Sequence, residues 1–318
     1  MTDILLVKTS SLGDVIHNLP VATDLARHLP GVAIDWVVEE SFSGIPRLHP
    51  AVRDTLPVAV RRWRENLFQP VTWQEIAAFR RRLQQRTYDT VLDSQGLIKS
   101  ALITASAHGL RCGYDRASAR EPLAARFYQR RYAVDRALHA VERNRLLAAA
   151  VFGYTLDTPV DYGIVTPELS LPWLPAGRHA VLLHATSRED KQWREENWVA
   201  LGRWLTHRGI HCVLPWGSMS EKARSDRLAA AIPDAVVPPA LALDQLAALL
   251  GKAAVTVGVD TGLTHLAAAL RTPVVALYCA SRPGLTGVHA TGFARSLGEA
   301  GHPPSLNDVQ ATVEEALA

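Results

Sequence analysis

What most constrains this chain is an alternation that occurs twice. Apolar runs of four to six residues, the length of a buried strand, take turns with longer segments whose apolar residues recur at helical spacing. The first block opens with a strand over 4–7, a loop over 9–13 and a helix over 14–28. Residues 33–38 and 88–93 read as further strands. Between them Trp73, Ile76, Phe79 and Leu83 share one helical face, with Arg80, Arg81, Arg82 and Arg86 mostly outward. Residues 154–178 then break the pattern with Pro159, Pro167, Pro172, Pro175 and Gly177. Strands over 180–183, 210–214, 235–237, 253–257 and 273–278 follow, separated by helices over 195–207 and near 220–231, 243–250 and 262–270. A last helix carries the capping pattern Ser305-x-x-Asp308.

Strands separated by helices imply parallel sheets with right-handed crossovers. The expected fold class is therefore α/β, with two Rossmann-like, doubly wound domains. The first covers 1–160 and the second 179–318, joined by a linker over 161–178. The last helix is a candidate to pack back on the N-terminal domain. Ligands of such domains bind outside the carboxyl ends of the strands, in the cleft that two domains enclose. The chain contains neither G-x-G-x-x-G nor G-x-x-x-x-G-K-[ST], which argues against a dinucleotide dehydrogenase and a P-loop NTPase.

A chain of 318 residues has length for about two domains. No apolar run approaches the ~20 residues that cross a bilayer. The N-terminus reads as a first strand rather than a signal peptide. Cys112, Cys212 and Cys279 lie far apart and match no metal spacing, which fits a reduced cytoplasmic protein. The net charge of +3 is unevenly spread: residues 61–131 hold fourteen Lys+Arg against six Asp+Glu. Basic charge gathered there suits a phosphorylated substrate, anionic lipid or nucleic acid, or simply a solvated face.

One segment carries chemistry on its face. Val259-Asp260-Thr261-Gly262-Leu263-Thr264-His265 lies where a strand stops and a helix starts. The start of a helix leaves main-chain N–H groups unpaired at the positive end of its dipole, a natural seat for phosphate. Thr261, Thr264 and His265 add side-chain donors. The same residues also suit an ordinary capped helix.

Nine stretches together resemble the bacterial lipopolysaccharide heptosyltransferases, most closely the branch that adds the first heptose. They are VKTSSLGDVIHNLP (7–20), DWVVEE (35–40), PVAVRRWR (57–64), DSQGLIKSA (93–101), AREPLA (119–124), HAVER (139–143), LLHATSREDKQW (182–193), LPWG (214–217) and VDTGLTHLAAAL (259–270). They follow the family's order and cover most of the chain. The resemblance implies the GT-B arrangement, two Rossmann-like domains facing across a cleft. It implies transfer of L-glycero-D-manno-heptose from ADP-heptose to the inner Kdo of Kdo2-lipid A. Inversion at the anomeric carbon, with neither a metal nor another cofactor, is implied with it. So are a monomer without a nucleic-acid partner and peripheral contact with the cytoplasmic leaflet of the inner membrane.

Carried over residue by residue, the resemblance makes Asp14 the catalytic base; by position alone Asp14 reads first as a helix cap. A helix N-terminus lowers a carboxylate's pKa, so a base there works if the proton moves late. Lys191 becomes the charge partner of the donor, with Thr186 and Ser187 in the same loop. Thr261, Gly262, Leu263 and Thr264 hold the diphosphate through their amides, with His265 beside them, while Asp260 accepts from sugar hydroxyls. Glu221 faces the ribose, and Trp216 and Leu241 flank the base or serve as core. On the acceptor side stand Ser11, Gly13, Arg61, Arg62, Arg64, Lys99 and Arg120. Arginine suits that task because its planar fork grips phosphate or carboxylate with two bonds. Trp63 is placed to touch sugar or acyl chain, and Arg130 and Arg131 to meet lipid headgroups.

The chain departs from the family at Tyr278-Cys279-Ala280-Ser281-Arg282-Pro283-Gly284, where relatives carry Gly-Pro-Thr, and its tail is shorter. Three alternatives stand beside this reading: transfer of the second heptose, a GT-B transferase using UDP- or GDP-sugars, and a non-catalytic nucleotide-binding protein.

Overall fold

In the computed structural model, which describes residues 2–186, 188–281 and 283–318, the chain divides into two units that meet at Ile164 and Val165. That boundary falls inside the proline-rich stretch.

The first unit begins with β1 (Asp3–Val7), α1 (Leu12–Ile16), α2 (Leu19–His28), β2 (Ala33–Glu39) and β3 (Val52–Val58). It continues with α3 (Val60–Glu65), α4 (Pro70–Leu83), β4 (Thr87–Asp93), α5 (Ile98–Ser106), β5 (His108–Tyr114), β6 (Arg130–Tyr132) and α6 (Ala140–Phe152). All its strands pair in parallel, in the order β3-β2-β1-β4-β5-β6. Ile4, Leu5, Leu6 and Val7 of β1 are fully buried because β1 sits at the middle of that order, covered on both faces. The single helix expected over 14–28 is two. Pro20 lies in the first turn of α2 and has no N–H to give to the carbonyl of Ile16, so α1 ends there.

The second unit holds β7 (His179–Leu183), α7 (Glu195–Thr206), β8 (His211–Val213), α8 (Met219–Ala231), α9 (Leu243–Gly251) and β9 (Val255–Val259). It ends with α10 (Gly262–Ala269), β10 (Val274–Leu277), α11 (Pro283–Thr286), β11 (Ala294–Leu297) and α12 (Leu306–Leu317). The sheet order is β11-β10-β9-β7-β8. The strand expected at 235–237 is reduced to one bridge, Val213 to Val236, on the free side of β8. With that bridge counted, the second unit repeats the strand order of the first. Helix α12 packs on β9, β10 and α7 of its own unit through Val309 and Val313.

In both sheets the order reverses beside the first strand, between β1 and β4 and between β7 and β9. A crevice opens at such a reversal because neighbouring loops leave in opposite directions. The loops after those four strands are therefore where a site belongs.

Candidate functional site

In the second unit the loops after β7 and β9 bring Lys191 and Asp260 together. Lys191 Nζ donates to Asp260 Oδ2 at 2.6 Å, and Ser281 Oγ donates to the same oxygen at 2.7 Å. His265 Nε2 lies 3.9 Å from Asp260 Oδ1. Burial pushes the Asp260 carboxyl up, but His265, Lys191 and Ser281 more than offset this and hold it well below the usual carboxylate range. Asp260 is thus a fixed anion that aims the lysine. An ammonium has three donors, so Lys191 keeps others for a ligand. The Thr186 hydroxyl donates to the Asp260 carbonyl at 3.4 Å and ties the two loops together. Ser187 lies outside the described residues.

Helix α10 starts at Gly262 directly after Asp260 and Thr261, so the amides of Gly262 and Leu263 have no intrahelical acceptor. Thr261 occupies the cap position without a side-chain bond to the helix. Thr264 has a different part from the one expected. Its hydroxyl donates to the Val259 carbonyl at 2.7 Å and its amide to the Thr261 carbonyl at 3.1 Å, fastening the turn rather than offering donors. The approach is close enough to need glycine at 258. A Cβ there would lie 2.3 Å from Thr264 Oγ1 and 3.0 Å from Leu183 Cβ.

The lysine-bearing loop is anchored by residues that the sequence did not single out. Arg224 of α8, nearly buried, donates to the Trp193 carbonyl at 2.9 Å and to the Gln192 side chain. The Trp193 indole donates to the Pro304 carbonyl at 2.9 Å and meets Trp198 edge-on at 5.2 Å. The residues expected around adenosine are engaged locally. The Trp216 indole donates to the Pro238 carbonyl at 2.8 Å, and Glu221 Oε2 accepts from the Gly217 amide at 2.7 Å. Leu241 is half-buried.

In the first unit the loops after β1 and β4 carry the other cluster. Asp14 stands in the first turn of α1, where its carboxylate accepts from the Ser11 amide at 2.9 Å and from the Ser11 hydroxyl at 3.2 Å. Arg120 holds it with two bonds of 3.1 and 3.3 Å. Burial pushes Asp14 up, while Lys8, Arg120 and the Ser11 amide together hold it below its ordinary value. Lys8 is fully buried, which pulls its pKa down to about 8, and it donates to the Ser94 carbonyl at 2.7 Å. Gly13 precedes Asp14 in the same turn.

Gln95, another residue that the sequence left unassigned, clamps the two loops. Its Oε1 accepts from the Thr9 amide at 2.7 Å and the Ser10 amide at 3.2 Å, and its Nε2 donates to the Ser10 carbonyl. Lys99 donates to the Ser10 hydroxyl at 2.6 Å. Burial lowers the pKa of Lys99; Glu39 opposes this, and the charges of Arg61 and Arg64 reinforce it, so these groups share one neighbourhood. Arg62 is held differently, bonded to Glu40 at 3.1 Å and to Glu75 at 2.8 Å. Trp63 donates to Glu75 at 2.7 Å and packs on Phe79. Arg130 and Arg131 are exposed on the edge strand β6. Among the described residues no group of three or more His, Cys, Asp or Glu side chains could hold a metal ion.

This arrangement offers two chemistries: a carboxylate flanked by cations in one unit, and a lysine beside a helix start in the other. Comparison with known proteins gives the family. Residues 76–310 match the family described as Glycosyltransferase family 9 (heptosyltransferase). The lipopolysaccharide heptosyltransferase 1 of Pseudomonas aeruginosa is 48% identical over 288 residues, covering 90% of this chain and 81% of the relative. The solved structure of E. coli heptosyltransferase WaaC with ADP superposes with a TM-score of 0.91 at 42% identity, covering 99% of this chain and 100% of that one. The WaaC structure with ADP-2-deoxy-2-fluoro heptose gives 0.89 at 42% identity, covering 99% of each. The paired Rossmann-like sheets are thus those of a GT-B glycosyltransferase, and the chain belongs to glycosyltransferase family 9, the heptosyltransferases.

Proposed function

We propose that this enzyme transfers L-glycero-D-manno-heptose from ADP-heptose to the inner Kdo of Kdo2-lipid A during synthesis of the lipopolysaccharide core. The observation that carries the reading is the Lys191–Asp260 pair at the start of α10, in a chain 42% identical to a heptosyltransferase solved with ADP and with an ADP-sugar analogue. The acceptor hydroxyl oxygen attacks the anomeric carbon opposite the diphosphate. The bond from that carbon to the phosphate oxygen breaks, and its electron pair leaves with ADP. Asp14 takes the hydroxyl proton. Its depressed pKa makes it a weak base, so the proton moves late, once the attacking oxygen has gained positive character.

Lys191 and the amides of Thr261, Gly262 and Leu263 meet the charge that develops on ADP. Asp260 both steers Lys191 and accepts from heptose hydroxyls, and Glu221, Trp216 and Leu241 border the nucleoside. Ser11, Gly13, Arg61, Arg64, Lys99 and Arg120 receive the anionic acceptor, with Arg62 bracing them through Glu40 and Glu75. No metal ion or other cofactor is assigned a step. A lipid-anchored acceptor puts the enzyme, as a monomer, at the cytoplasmic face of the inner membrane.

The test is turnover of Kdo2-lipid A against its heptosylated product, with ADP-heptose as donor. Asp14→Ala is expected to abolish transfer, by ~10²–10⁴-fold, while ADP affinity stays within a few-fold. Near wild-type turnover by that variant, or preference for the heptosylated acceptor, refutes the assignment.

A further inference from the structure

The turn between α3 and α4 presents apolar side chains to solvent. Phe68 is completely exposed, and Leu67, Val71 and Trp73 are about half exposed. Four large apolar groups within seven residues are unusual on a soluble surface and mark a contact. The turn is braced from within. Asn66 accepts from the Gln69 amide at its carbonyl and from Gln69 Nε2 at its side chain. The Thr72 hydroxyl donates to the Asn66 carbonyl at 2.8 Å, and the Trp73 indole donates to the Leu67 carbonyl at 2.9 Å. The side chains of Asn66, Gln69, Thr72 and Trp73 and the carbonyls of Asn66 and Leu67 are thus satisfied internally, while Leu67 and Phe68 are exposed. That lowers the desolvation penalty of bringing the tip into an apolar medium.

The surroundings specify that medium. Arg64 and Arg61, one and two turns of chain earlier, make no salt bridge among the described residues, although Arg61 has Glu39 nearby and lies over the Phe42 ring at 5.1 Å. Residues 60–73 hold three arginines and one glutamate. An apolar tip with tryptophan at its base and arginine behind it complements a bilayer with anionic headgroups: apolar groups below the surface, indole at the interface, cations among the phosphates.

We propose that the α3–α4 turn is a membrane wedge, seating Leu67 and Phe68 in an anionic bilayer with Arg61 and Arg64 against its headgroups. This deepens the membrane-side reading above by naming the surface, and it places the contact on the turn rather than on Arg130 and Arg131. Arg61 and Arg64 are also assigned to the lipid-borne acceptor, so docking would hold that half of the site at the headgroup level.

The test is co-sedimentation of the full chain with phosphatidylethanolamine vesicles containing about one-third phosphatidylglycerol, without donor or acceptor. The wild type is expected to bind, and less so at high salt. The double variant Leu67→Ser/Phe68→Ser is expected to bind about tenfold more weakly or less, since two large apolar groups no longer leave water. Val165→Ser, an exposed position in the second unit, should bind like wild type. Turnover of a water-soluble, deacylated acceptor should be unchanged in the double variant, which separates docking from sugar transfer. Undiminished vesicle binding by the double variant, or none by the wild type, overturns the proposal. So does a loss of turnover on the soluble acceptor, which would assign the turn to acceptor recognition. Conversion of a wild-type dimer to monomer by the same substitutions would assign it to self-association and overturn it too.

Discussion

Replacing Lys191 by methionine keeps the length of the side chain and removes its charge, which isolates the part played by that charge. Lys191 is bonded to Asp260 at 2.6 Å, yet Asp260 keeps the Ser281 hydroxyl at 2.7 Å and the nearby His265 imidazole. The carboxylate is therefore not left bare. Side-chain exposures of 21% for Lys191 and 14% for Asp260 put the pair between surface and interior, so its loss should cost the fold only ~1 kcal/mol. In a unit of this size that lowers Tm by about 2–4 °C. Catalysis should suffer far more. A charge aimed at a departing diphosphate acts in the transition state, and removing one such donor typically raises the barrier by ~2.7–4 kcal/mol, or about 10²–10³ in kcat. Steady-state kinetics with ADP-heptose beside a thermal melt would measure both. Lys191→Arg should recover part of the rate because it restores the charge with altered reach. Turnover within about fivefold of wild type, or a melt so lowered that activity returns on cooling, would refute the reasoning.

Three other perturbations follow from distances already given. Arg120→Leu removes a cation that keeps the Asp14 carboxyl below its ordinary value, so that pKa rises; Asp14 acts deprotonated, and the acid limb of the kcat/KM profile should move to higher pH, with an unmoved limb counting against Asp14 as base. Gly258→Ala places a methyl 2.3 Å from Thr264 Oγ1, which should push the α10 turn off β9, destabilise the second unit by ~1–3 kcal/mol and weaken ADP binding; calorimetry showing neither would discard the close-approach account. Asp24→Asn strips the carboxylate from Arg145, which it holds at 2.7 and 3.0 Å in a nearly dry site joining α2 to α6; an unpaired guanidinium there should cost ~3–5 kcal/mol in urea unfolding, and a loss below ~1 kcal/mol would show that Arg145 finds solvent.

The central strands were legible because burial on both faces demands continuous apolar runs. Residues 4–7 and 180–183 meet that demand and sit at the middle of their sheets. The peripheral strands β3 and β5 were not legible. VRDTLPV and HGLRCGY lie toward the sheet edge, where one face is open and charged residues are tolerated, so no apolar run marks them. Helix periodicity misled at Trp73, which shares a face with Ile76 and Phe79 yet projects from the first turn of α4, beyond the end of the sheet contact. The site was legible where chemistry is local, as in Asp14 capping its own helix or Thr261-Gly262 opening α10. It was not where partners come from afar. Lys191 and Asp260 are 69 residues apart, Gln95 and Thr9 are 86, and Arg224 reaches back 31 to Trp193. No spacing rule connects such pairs, because the fold brings them together.

The Gln95 clamp has a consequence for what evolution can place there. One end of that side chain faces two main-chain amides and the other faces a main-chain carbonyl. Only a carboxamide presents an acceptor and a donor on the same carbon at that reach. Its isosteric acid, glutamate, would turn a second lone pair toward the Ser10 carbonyl, and hydrolysis of the amide by ageing would do the same to an existing molecule. Position 95 thus discriminates between two side chains of nearly identical shape, so the bearing of the Asp14 carboxylate, five residues beyond Thr9, depends on a single nitrogen.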